Sequence, residues 1–65
     1  MPYHDNADLP DSVRNHLPDH AQSIFRKAFN NALKQYENEE QAFAVAWAAV
    51  KKEYHKNEQG HWVKI

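Results

Sequence analysis

Cysteine and threonine are absent from this chain, glycine occurs once, and no apolar run exceeds nine residues. Without cysteine, neither a disulfide nor a thiolate metal site can staple the 65 residues together. Apolar burial must hold the fold unaided, and a domain this small removes only about 60% of its unfolded surface from water. A single glycine argues against an all-β design rich in tight turns, which leaves helix as the default. The longest apolar run, "AFAVAWAAV" at residues 42–50, is far shorter than the ~20 residues that cross a bilayer. Glu39 and Glu40 close it on one side, Lys51 and Lys52 on the other. The opening "MPYHDNADLPD" is acidic and has no apolar segment of the signal-peptide kind. Together with the missing cysteine, that points to a cytoplasmic protein. No charge sign dominates: eight Lys and Arg stand against nine Asp and Glu, a formal net charge of −1. With 42% hydrophobic and 26% charged residues, the composition is that of one soluble globular domain over residues 1–65.

What is present is organised by proline and by helical periodicity. "LPDSV" at residues 9–13 and "LPDHA" at residues 17–21 each read as a helix start. Proline suits a first helical turn, and the aspartate after it meets the positive end of the helix dipole. The first helix must be short, because Pro18 forces Leu17 out of helical geometry. The second is expected over residues 18–36. Its apolar series Ala21, Ile24, Phe25, Ala28, Phe29, Ala32, Leu33 and Tyr36 holds the three-and-four spacing of a single helix face without a break. Gln22, Arg26, Lys27, Asn30, Asn31 and Lys34 form the opposite, wet face.

Asn38 begins a new helix as a cap, with Gln41 in the capping-box position, and this helix is expected from Glu39 to Tyr54 or His55. Its stripe of Phe43, Ala46, Trp47, Val50 and Tyr54 is widened by Ala42, Val45 and Ala49 until it is apolar almost all round, the profile of a helix buried on more than one side. Trp47 is accordingly expected at the centre of the core, against Phe25, Phe29 and Val50. After the "NEQG" turn, the tail "HWVKI" has the β-branched and aromatic residues of a short strand. The fold class that follows is mainly α: one short and two long helices in a compact array, with a small two-stranded sheet.

"VAWAAVKKEY" (45–54), "HAQSIFRKAFNNA" (20–32), "DLPDSV" (8–13) and the opening "MPY" together resemble the small bacterial ChaB proteins, named as cation transport regulators. The phrases fall in the same order along essentially the whole chain, through Lys56 and Trp62. In one place the chain departs. ChaB proteins carry a charged insertion between the two long helices, where this chain has only "ENEE", so a partner contact made through that loop would be missing. The resemblance implies about three helices and a small sheet joining the termini, with "MPY" as the strand that pairs with the tail. It implies no catalytic activity and a role beside a cation/proton antiporter.

Five histidines invite a metal reading: His4, His16, His20, His55 and His61. His16 and His20 have the i, i+4 spacing of a helical zinc pair, but Pro18 breaks the helix between them, and His55 and His61 are split by the turn. No metal and no cofactor are expected. Nor is catalysis, since there is no phosphate loop, nucleophile motif or paired carboxylate, and Ser12 and Ser23 are the only aliphatic hydroxyls. What stands out is charge on the second helix. From His20 to Tyr36 there is no acid, while Arg26, Lys27 and Lys34 share a polar face with Asn30. These four residues are the candidate surface for a protein partner of a monomeric, non-enzymatic domain. The alternative is weak nucleic-acid binding through the same face. Three cations would give a salt slope of only about −2.7, and a dedicated nucleic-acid domain is usually basic overall.

Overall fold

The computed structural model describes residues 2–65; Met1 of the expected N-terminal strand lies outside them. A single 3-10 turn at Asn6–Asp8 precedes helix α1 (Asp11–Arg14), α2 (Asp19–Tyr36) and α3 (Glu39–Glu53), and strands β1 (Tyr54–Lys56) and β2 (Trp62–Lys64) close the order. Pro10 and Pro18 stand at the N-cap positions of α1 and α2 in extended geometry, with Asp11 and Asp19 in the first turns. Leu9, Val13 and Leu17, four residues apart, are all buried, so the short first helix is folded onto the core by its apolar residues.

The α2–α3 hairpin is the body of the molecule. Its connection is Glu37 and Asn38 alone. Glu37 takes a left-handed conformation (φ 54°), and its N–H donates to the Leu33 carbonyl at 2.8 Å, which ends α2 in the geometry usually given to glycine. Asn38 then caps α3, its side-chain oxygen accepting from the Gln41 N–H at 3.0 Å. Such a tight turn makes the two long helices antiparallel neighbours. Ala42, Ala46 and Val50 form the buried line of α3 against Ala21, Phe25, Phe29 and Ala32 of α2. These small side chains let the backbones approach, and aromatic rings fill what remains. Phe43 lies 5.7 Å from Phe25 and 5.0 Å from Phe29, centroid to centroid.

Two expectations about α3 need correction. Ala44 and Ala48 are exposed, and Val45 and Ala49 only half-buried, so the helix is covered on one broad side rather than all round. Alanine there serves helix propensity, not burial. Trp47 is half-buried at the margin of the core, and the fully buried large residues are Phe25, Phe29, Val13 and Val50.

The mainly α architecture with a two-stranded sheet is as expected, but the tail's partner strand is different. β2 pairs antiparallel with β1, Tyr54 opposite Lys64, His55 opposite Val63 and Lys56 opposite Trp62. Tyr54 already has extended geometry (φ −131°, ψ 154°), so α3 passes into β1 without a loop. Asn57 organises the turn. Its side-chain oxygen accepts from the N–H groups of Gln59 and His61, and Gly60 supplies the positive φ (84°) that a three-residue hairpin loop needs. The Ile65 N–H donates to the Glu53 carbonyl at 2.9 Å, tying the last residue to the end of α3.

Candidate functional site

Ser23, Arg26, Asn30 and Lys34 recur at three- and four-residue spacing and therefore share one stripe of α2. The N-terminal segment lies along the first three. Asn6 Nδ2 donates to Ser23 Oγ (3.1 Å) and to the Asp19 carbonyl (3.3 Å), while Asn6 Oδ1 accepts from Arg26 Nε (2.9 Å). Further along the helix, Asn30 binds both backbone groups of Tyr3. Its Oδ1 accepts from the Tyr3 N–H at 2.9 Å, and its Nδ2 donates to the Tyr3 carbonyl at 2.7 Å. That satisfies Tyr3 as a neighbouring strand would, which is why no strand pairing with the tail is required there. The Tyr3 ring packs on Phe29 at 4.8 Å. Burial, with the Glu39 charge second, raises the Tyr3 hydroxyl above its ordinary pKa.

The four residues singled out on α2 thus divide. Arg26 and Asn30 are half-buried and bonded to the N-terminal segment, whereas Lys27 and Lys34 are exposed. Asn30 and Lys34 border an open groove of about 510 Å³ with Pro2, Asn31, Leu33 and Glu37. The groove exists because Asn30 holds Tyr3, and with it Pro2, against the last turns of α2. Neither Lys27 nor Lys34 is in an ion pair among the described residues.

A second concave surface lies at the other end of the α2–α3 hairpin, where Ser12 and His16 at α1, Trp47 and Lys51 on α3, and Lys56 and Trp62 on the β-hairpin enclose about 330 Å³. Trp47 lies 5.2 Å from Phe25, centroid to centroid, with the two rings at 74°, and 5.5 Å from Trp62, inclined by 32°. His16 Nδ1–H donates to the Ser12 carbonyl. Sequence reasoning missed this cleft by assigning Trp47 to the core centre. Only half of its signal is local: Lys51 follows Trp47 by one helical turn, but Lys56 and Trp62 meet only through the β1–β2 register. Among the described residues, no three His, Asp or Glu side chains converge in a metal-ligating group. No helix among them is long and apolar enough to cross a membrane.

The ChaB family model matches residues 9–64. The chain is 47% identical over 74 aligned positions to the "Putative cation transport regulator ChaB" of Escherichia coli (strain K12), covering 98% of this chain and 97% of that protein. Since this chain has 65 residues, at least nine aligned positions have no counterpart in it (74 − 65 = 9), and its two long helices are joined by two residues. A viral relative, "Uncharacterized 10.9 kDa protein in LEF8-FP intergenic region" of Lymantria dispar multicapsid nuclear polyhedrosis virus, is 38% identical over 56 residues, 86% of this chain and 57% of that one. A solution structure described as "NMR solution structure of the putative cation transport regulator ChaB" superposes with a TM-score of 0.90 at 46% identity, covering 98% of this chain and 99% of that one. The helical hairpin, the flanking sheet and near-full-length similarity converge on one conclusion: the chain belongs to the ChaB family.

Proposed function

We propose that the chain is a non-enzymatic, cytoplasmic protein-binding domain that regulates a cation/proton antiporter, docking through the exposed cations of α2. The observation that carries this reading is the acid-free stretch from His20 to Tyr36, on which Lys27 and Lys34 remain exposed. The relatives' name, cation transport regulator, supplies the class of partner. An acidic cytoplasmic loop of a transporter is complementary to this face, and such contacts set association rate and specificity more than raw affinity. Arg26 and Asn30 serve the same surface indirectly, by fixing the N-terminal segment that forms one wall of the groove.

Nucleic-acid binding through this face is the weaker reading. With Arg26 engaged by Asn6, Lys27 and Lys34 are the exposed cations of the original trio. Two neutralised phosphates correspond to a salt slope of only about −1.8. The test is capture of a detergent-solubilised cation/proton antiporter by the wild-type chain and by the double variant Lys27→Glu/Lys34→Glu. Both positions are exposed, so the variant should melt within a few degrees of wild type, since such changes usually stay within about 0.5 kcal/mol each. Capture by wild type and loss in the folded variant are expected. Undiminished capture by the variant refutes this docking face.

A further inference from the structure

We infer that the Trp47–Trp62 cleft is a second docking site, and that its occupant is an acidic peptide segment carrying one apolar side chain. Two independent features point to that chemistry. The first is charge. Lys51 and Lys56 flank the cleft, with Ser12 and His16 on its third side, and no carboxylate lines it. Asp11, which precedes Ser12, is paired with Arg14 at 3.8 Å and is not among the lining residues. Glu53 lies two residues beyond Lys51, about 200° around the helix and therefore on its opposite side. The second is the floor. Both tryptophans are only half-buried, although a 65-residue domain has few other large apolar side chains with which to build its core. One half-exposed tryptophan is ordinary. Two in mutual contact have the composition of an interface anchor, and the two lysines beside them set the charge it accepts.

The volume, about 330 Å³, is at the small end for a ligand pocket and suits a single side chain rather than a folded surface. The rings already touch at 5.5 Å, which leaves no room for a base to enter between them. Two lysines on a single strand would give a salt slope of only about −1.4. An acidic segment instead places its carboxylates on Lys51 and Lys56 and its apolar side chain on the indole faces.

This site and the α2 face use different elements, so the inference shares with the proposed function only the premise that the occupant is a protein segment. The probe is a short synthetic peptide of glutamates around one central phenylalanine, titrated into the full chain. Indole emission and the indole N–H resonances of Trp47 and Trp62, the two tryptophans present, report occupancy directly. The expected result is saturable movement of both indole signals, weakened at least tenfold by Lys51→Glu/Lys56→Glu. Lys27→Glu/Lys34→Glu should leave the titration unchanged, so failure of the α2 docking face and failure of this cleft are read separately. Backbone spectra of each variant verify the fold. The inference is overturned if a serine-centred peptide binds equally well, if an oligothymidylate outcompetes the peptide, or if the indole signals do not move.

Discussion

Replacing Asn30 by alanine tests how the N-terminal segment is held. Asn30→Ala removes two hydrogen bonds to the Tyr3 backbone, at 2.9 and 2.7 Å. Each contributes about 0.5–1.5 kcal/mol net. Because the site is half-buried, the lower half of that range applies to each bond. Releasing Tyr3 also loosens its ring from Phe29, a contact in the range of about 0.5–1.5 kcal/mol for an aromatic pair. A total of about 1.5–3.5 kcal/mol follows, against a stability of roughly 3–10 kcal/mol for a chain of this length. In a thermal melt, about 4–8 °C is lost per kcal/mol for domains near this size, so the midpoint should fall by roughly 6–28 °C. Amide exchange should show the Tyr3 N–H losing protection while the α2 and α3 amides keep theirs relative to global stability. A variant that melts within about 2 °C of wild type, with the Tyr3 amide still protected, would refute the assignment of Asn30 as the tether.

Two further substitutions test the core and the helix connection. Phe25→Ala removes a fully buried ring from between Phe29, Phe43 and Trp47 and should cost about 3–5 kcal/mol, enough to depopulate the native state. Trp47→Ala, at the half-buried margin, should cost less, and urea titrations that rank the two in the opposite order would overturn the core assignment. Glu37→Gly relieves a left-handed backbone and should stabilise the chain by about 0.5–1 kcal/mol, whereas Glu37→Ala should not. A lower denaturation midpoint for the glycine variant would contradict that account.

The sequence by itself determined the helices. Proline at positions 10 and 18, asparagine at 38 and the unbroken apolar series of α2 are signals read within one or two turns, and the helices begin where those signals lie. The end of α3 was less legible. Helical periodicity runs on through Tyr54, but pairing with the tail draws that residue into extended geometry. The polar face of α2 was legible as polar, not as free. Whether Arg26 and Asn30 face water depends on a segment 20 to 27 residues away that arrives with unsatisfied backbone groups of its own. Likewise Trp47 and Phe25 are both large and apolar at helical spacing. Which becomes the centre was decided when α2 and α3 closed around Phe25 and Phe29 and left Trp47 to meet Trp62 at the margin. Capping and periodicity act among residues that touch as soon as a helix turn forms. Burial and pairing are contests between distant segments for the same surface, and only the closed tertiary structure has an outcome for them.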